Sequence, residues 1–197
     1  MSGLLIALGH IVPMLYWTLV LLLAVASLCF AVLALRMPRR VFVYLSAGTL
    51  ALAVTLVAIP SPGPIALVHV LLGPLALAVA VFGGAPAVLL TLAIATRGTM
   101  HEGPQGGIVV GDPGEEANRQ EVLRGGMTIG LFERFATTAA IMAGFAVAVA
   151  VVVAIKSVGR FTELNEAAAR ERFIIGTLVS LVWAGACAAL FVLSAPS

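Results

Sequence analysis

The chain has 197 residues, of which 61% are hydrophobic and 10% charged, with a formal net charge of +2 and a mean hydropathy of +1.14. Soluble domains carry roughly a quarter charged residues, so this composition excludes one, and so small a charge, scattered over loops, gives no reason to expect a nucleic-acid partner. Charge-free stretches at 2–35, 41–96, 135–155 and 173–197 each reach the ~20 apolar residues that cross a hydrocarbon layer. An all-α, multi-pass membrane helix bundle is expected.

The first helix is expected over 11–35, with Pro13 tolerated in its first turn. It is not a cleaved signal peptide by its pattern, because no basic residue precedes it and the apolar run is too long. "RMPRR" (Arg36, Arg39, Arg40) follows, then a second helix over 41–59 that "PSPGP" ends, since Pro60, Pro62 and Pro64 supply no ladder donors. A third helix is expected over 65–82. In "FGGAPAV" the paired glycines suit a helix end and Pro86 suits the first position of a new one, giving a fourth helix over 85–100. That helix would be only about 24 Å long, so five spans stand as the alternative to six. The segment 1–96 then forms a four-helix membrane unit and 97–126 a polar extramembrane loop. In that loop "IVV" suits a short strand and "PGEEANRQEVL" a polar helix. The C-terminal part, 127–197, reads as a helix pair over 127–155 and 163–193. Thr162 is a suitable N-cap there, and Glu166 and Arg170 are one turn apart.

The positive-inside rule assigns Arg36, Arg39 and Arg40 to the cytoplasm. With six spans the N-terminus and the 97–134 loop are outside and the 156–172 loop is cytoplasmic; five spans exchange those two loops. Arginine far outnumbers lysine (Lys156 is the single one) among abundant Ala, Val and Gly, which suits a bacterial inner membrane. Cys29 and Cys187 lie in apolar runs without a CxxC pattern and read as small apolar residues.

The candidate site residues follow from charge and side-chain size. Lys156 at the end of an apolar helix suits a snorkelling cation whose stem covers the helix end. Together with Ser157, Arg160, Arg170 and Arg172 it could instead hold a phosphate or anionic lipid headgroup. Glu133 and Arg134 interrupt an apolar stretch and are either interfacial or intramembrane charges, the latter usually functional. They stand about 33 Å from Lys156 if the helix is continuous. Gly176, Thr177, Ser180 and Gly185 give the last helix small faces for close helix packing. His10, His69 and His101 with Glu102 are the residue types that ligate zinc or iron. Their spacing matches no local motif, so no cofactor is expected, though a metal or haem remains open. HExxH, GxSxG, Walker and GxGxxG patterns in a proper setting are absent from the sequence, and no catalytic residue is assigned.

Three strings in order, "IGLFERF", "AIKSVGRF" and "ERFIIGTLVS", resemble the IGxxER, AAKSxxRF and IGTLLS motifs in the membrane region of the bacterial DUF3307 family. The resemblance covers about residues 125–190 and implies a membrane protein without an assigned reaction. The expected function is an accessory or structural subunit, associating with lipids and with a protein partner or a second copy. The alternatives are a small transporter or anionic-lipid-binding protein, and a metal-dependent membrane enzyme.

Overall fold

The computed structural model describes residues 2–60, 64, 66–95, 101–102, 108–109, 121–122, 126–159 and 167–195, of which 2–10, the short strands and a few helix ends are described by backbone alone. Among them are six helices: α1 (Ser2–Arg36), α2 (Arg40–Ala58), α3 (Ala66–Ala95), α4 (Gly126–Met142), α5 (Ala148–Gly159) and α6 (Ala167–Val192). Three two-residue strands, β1 (His101–Glu102), β2 (Ile108–Val109) and β3 (Glu121–Val122), pair antiparallel in that order. The fold is all-α. Among the described residues, four helical segments are long and apolar enough to cross a membrane: Ile11–Arg36, Arg40–Ala58, Ala66–Ala95 and Arg170–Val192. This is a membrane protein.

The side-chain pattern is that of a bundle solvated by hydrocarbon. Leu15, Leu22, Leu52, Leu67, Leu178 and Val182 point outward, while Ser27, Ser46, Thr137, Thr138 and Ser180 are buried. Helices α1 and α2 form a hairpin that turns at Met37–Arg39, where Arg39 N–H donates to the Met37 carbonyl and Phe42 N–H to the Arg39 carbonyl. Ser27 and Ser46 then clamp the pair reciprocally: each hydroxyl donates to the other residue's carbonyl, at 3.0 and 2.9 Å. Nearer the other end of the hairpin, the Tyr16 hydroxyl donates to the Leu56 carbonyl. Without water, such bonds are the means by which polar groups hold helices together.

Helix α3 corrects the expected division at 82/85. It continues through Pro74, Gly83, Gly84 and Pro86, so the separate helix over 85–100 does not exist and the segment 1–96 holds three helices. Each proline removes one ladder donor, which buried helices tolerate when neighbours pack against them. The glycines serve close approach. A Cβ on Gly83 would lie 2.3 Å from the Trp183 ring, and one on Gly73 would lie 3.3 Å from Phe191. The Trp183 indole N–H donates to the Val79 carbonyl at 3.0 Å. These contacts fix α6 antiparallel to α3: Gly176 faces Val88 and Leu92, Trp183 faces Gly83, and Ser194 meets His69.

A second correction concerns the helix expected over 127–155. It breaks at 143–147 into α4 and α5, which run antiparallel as a hairpin. The break is a Schellman cap. Gly144 has φ +79°, Gly144 N–H donates to the Ile141 carbonyl at 3.0 Å, and Phe145 N–H to the Ala140 carbonyl at 2.8 Å. Both bonds satisfy carbonyls that the helix end leaves open. Helix α5 then begins with Ala148 N–H on the Phe145 carbonyl. Helix α4 has 17 residues and α5 has 12, about 26 and 18 Å, each shorter than a hydrocarbon layer of about 30 Å.

The arrangement places four chain ends together. Met142 and Phe191 both approach Gly73, and Arg134 crosses Gly84, so α4 and α6 are both antiparallel to α3. The start of α4, the end of α5 and the start of α6 therefore lie at the end of the bundle where α3 finishes. Because α3 starts where α2 finishes, Arg36, Arg39 and Arg40 belong to that end too. We call it the basic end. The expectation that the 97–134 loop and the 156–172 loop leave opposite faces is overturned, since the helices flanking both loops meet there. The strand β2 falls on the expected "IVV", whereas Glu121–Val122 pair as a strand instead of ending a helix.

Candidate functional site

Lys156 and Glu133 lie far apart along the expected continuous helix, and the hairpin brings them into an ion pair. The Lys156 ammonium donates to Glu133 Oε2 and stands 5.5 Å from the centre of the Phe173 ring on α6. The lysine thus turns inward, towards Glu133 and Phe173. Of the other residues expected beside it, Ser157 is exposed and its hydroxyl returns to the Val153 carbonyl at 2.8 Å; Arg170 is exposed; Arg172 buries Nη1 without a hydrogen-bond partner among the described residues. Arg160, Thr162 and Glu166 lie outside the described residues.

Glu133 and Arg134 are each 4% exposed, so both charges are buried within the bundle. Adjacent on α4, they point to different neighbours. Glu133 faces α5 through Lys156, while the Arg134 side chain lies across α3, where a Cβ on Gly84 would stand 2.1 Å from Cδ. Its guanidinium turns back along α4, so that a Cβ on Gly130 would lie 3.0 Å from Nη1. Two glycines on two helices therefore form the slot that admits this side chain. The Glu133 carboxylate also acts electrostatically on Arg134.

The register of α4 against α6 is given by Thr138, whose hydroxyl donates to the Ala184 carbonyl at 3.3 Å. One turn earlier on these parallel helices stand Arg134 and Ser180, and about one turn earlier again Gly130 and Thr177. Gly176, beside Thr177, packs on Val88 and Leu92. Arg134, Thr177 and Ser180 thus share the seam of α3, α4 and α6. Arg134 Nε, Thr137 Oγ1, Thr177 Oγ1, Ser180 Oγ and Glu133 Oε1 are buried without a hydrogen-bond partner among the described residues. Of the small residues expected to serve close helix packing, Gly176 packs on α3, Thr177 and Ser180 are buried, and Gly185 has open space where a Cβ would stand.

Comparison with protein-family models, with curated proteins and with solved structures finds no match. What the geometry adds is that the three strings singled out in the sequence meet: "ER" supplies Glu133 and Arg134, "KS" supplies Lys156, and "ERFIIGTLVS" supplies Phe173, Gly176, Thr177 and Ser180.

Among the described residues the histidines assemble no metal set. His69, in the first turns of α3, bonds Ser194 through Nδ1 at 3.0 Å and stacks on Phe191. The Ser194 hydroxyl also donates to the Phe191 carbonyl at 2.7 Å. From His69 to Ala95 the helix measures about 39 Å, and the chain from Ala95 to His101 reaches back at most about 20 Å. His101 and Glu102 therefore cannot share an ion with His69. Among the described residues no group of three metal-ligating side chains is present, and the side chain of His10 is outside them. The pairing of Gly84 with Arg134 was beyond the sequence reading; the one available signal was a glycine pair inside an apolar run with an intramembrane arginine elsewhere.

Proposed function

We propose that the chain is a multi-pass protein of a bacterial cytoplasmic membrane that binds an anionic group inside its bundle, in the manner of a small transporter or anion-binding subunit. The observation that carries this reading is the charge balance of the hairpin: Glu133 is paired with the largely buried Lys156, and the buried Arg134 has no carboxylate of its own among the described residues. Ionisable side chains within membrane bundles are costly and mark substrate or ion sites. Broken helices are tolerated at membrane depth where they border such a site. Schellman bonds at 140–145 supply the backbone satisfaction that a reversal in lipid requires.

In this reading the basic end faces the cytoplasm by the positive-inside rule, and the start of α1 lies outside. The hairpin α4–α5 enters from the cytoplasmic face and returns to it. The resemblance of residues 125–190 to the DUF3307 membrane region belongs to the same proposal, because its three strings supply the charged residues of the site. The test is thermal stability of the purified protein against a panel of chloride, inorganic phosphate and phosphatidylglycerol. At least one of them stabilises the wild type, and Arg134→Met abolishes the gain. A panel without any effect on the wild type refutes anion binding.

A second reading, an accessory subunit, is favoured by one observation. Helix α5 leaves an apolar face open, with Ile155 69% and Val158 77% exposed. Cross-linking from a cysteine at Val151 in intact membranes tests it, because a lipid-facing helix yields no discrete adduct.

A further inference from the structure

We propose that the seam of α3, α4 and α6 holds one small monovalent inorganic anion, hydrogen-bonded by Arg134 Nε and the hydroxyls of Ser180 and Thr177. This rests on the anion-binding reading above and names the class of ligand.

The hydroxyls give the first support. Elsewhere in the bundle, Ser27, Ser46 and Thr138 bond across helices, and Thr137 alone shares the unpartnered state of Thr177 and Ser180 among the described buried hydroxyls. Five further helical Thr and Ser side chains satisfy themselves on the carbonyl one turn back. Thr18 does so on Met14 at 2.7 Å, Thr49 on Leu45 at 2.8 Å, Thr55 on Ala51 at 2.8 Å, Thr91 on Ala87 at 2.9 Å and Ser157 on Val153 at 2.8 Å. That back-bond is the default where nothing else competes for the hydroxyl. Thr177 and Ser180 are buried, at 8% and 3% exposure, and do not make it. Their protons are free to be donated into the seam, on the face of α6 that meets Arg134.

Charge sets the valence. Lys156 engages Glu133 on the α5 side of α4, and Arg134 lies on the α3 side. Within the α4–α5 hairpin, Lys156 is offset by Glu133 and Arg134 is left with one positive charge, which one monovalent anion cancels. The donors are all N–H or O–H groups, the chemistry that suits an acceptor anion and not a cation.

Packing sets the size. The Arg134 side chain is enclosed so closely by Gly84 and Gly130 that a Cβ at either would stand at 2.1 or 3.0 Å. A Cβ on Gly176 would already touch Val88 at 3.4 Å. Such a seam suits a single-atom anion better than a phospholipid headgroup. Buried polar groups of this kind are otherwise satisfied by water, and the experiment distinguishes the two.

The full-length protein is purified in detergent in sodium gluconate and titrated with sodium chloride at constant ionic strength, with melting and calorimetric binding as readouts. Chloride should raise the melting temperature saturably, by about 5 °C at a hundredfold excess over Kd. Inorganic phosphate and phosphatidylglycerol micelles should not. Thr177→Val combined with Ser180→Ala should weaken chloride binding at least tenfold, while melting in gluconate stays equal or rises, because two unpaired hydroxyls are removed. Stabilisation by phosphate or phosphatidylglycerol in place of chloride overturns the small-anion assignment and leaves the broader reading standing. No response to any of the three overturns both, and the seam then holds water. A double variant that melts lower to the same extent with and without chloride makes the hydroxyls packing groups and overturns their assignment as ligands.

Discussion

Lys156 and Glu133 form an ion pair that closes the α4–α5 hairpin, although 23 residues separate them. The carboxylate is almost fully buried and the ammonium largely so. Removing one partner of such a pair leaves an uncompensated charge, which costs about 3–5 kcal/mol, whereas replacing both is often close to neutral. Glu133→Gln or Lys156→Met alone should therefore lower the melting temperature strongly, and the double variant should recover most of it. Equal losses in singles and double would show that the pair is not coupled. Lys156→Arg should recover only part, because a planar fork does not occupy the place of a compact ammonium above Phe173.

The hairpin also depends on one backbone conformation. Gly144 occupies the left-handed region with open space around its Cβ position, so substitution there is strained by the backbone and not by crowding. Gly144→Ala should cost about 1–2 kcal/mol. Gly144→Asn, which tolerates that region better, should cost less. The ordering Gly, Asn, Ala in denaturant midpoint checks it.

Topology separates a hairpin from a crossing. A helix that continued through 143–147 would carry Glu121 and Ser157 to opposite faces of the membrane. With α4 and α5 antiparallel, single cysteines at Glu121 and Ser157 should both react with an impermeant maleimide from the face that labels Met37. Cysteine at Ile59 should react from the other face. The background needs Cys29→Ala, since Cys29 is exposed and Cys187 buried. Labelling of Glu121→Cys and Ser157→Cys from opposite faces would remove the hairpin.

Hydropathy made α1, α2 and α6 legible because a membrane helix is little more than an uninterrupted apolar run. Its interruptions were read less well, for a physical reason. In lipid, glycine is common within helices as a place of close contact, so a glycine does not by itself mark an end. Gly83 and Gly84 resemble a terminus and instead admit Trp183 and Arg134, while Gly144 looks like one more small residue and ends a helix. The difference lies in what packs against each, which no local pattern records. The same gap separated Glu133 from Lys156: both stood out as charges in apolar surroundings, but a straight helix held them about 33 Å apart. The all-α class survived these errors because it depends on apolar content and not on where the chain turns.

The contact between Gly84 and Arg134 offers the sharpest test of the site. A methyl group on Gly84 would stand 2.1 Å from Arg134 Cδ, 2.7 Å from Nε and 3.3 Å from Cζ, so the side chain must leave its slot. It cannot do so cheaply, because the side chain is only 4% exposed and is enclosed between Gly84 and Gly130, so it must be accommodated elsewhere in a close-packed interior. Gly84→Ala should thus be strongly destabilising, although alanine is the better helix former by about 1 kcal/mol. Arg134→Ala removes every atom that clashes. In that background Gly84→Ala should become neutral or stabilising, a coupling of at least about 2 kcal/mol between residues on different helices. Chemical melts of the four proteins of this cycle measure it. Additive effects would mean that the arginine does not lie across the glycine, and the seam proposed as an anion site would lose the residue at its centre.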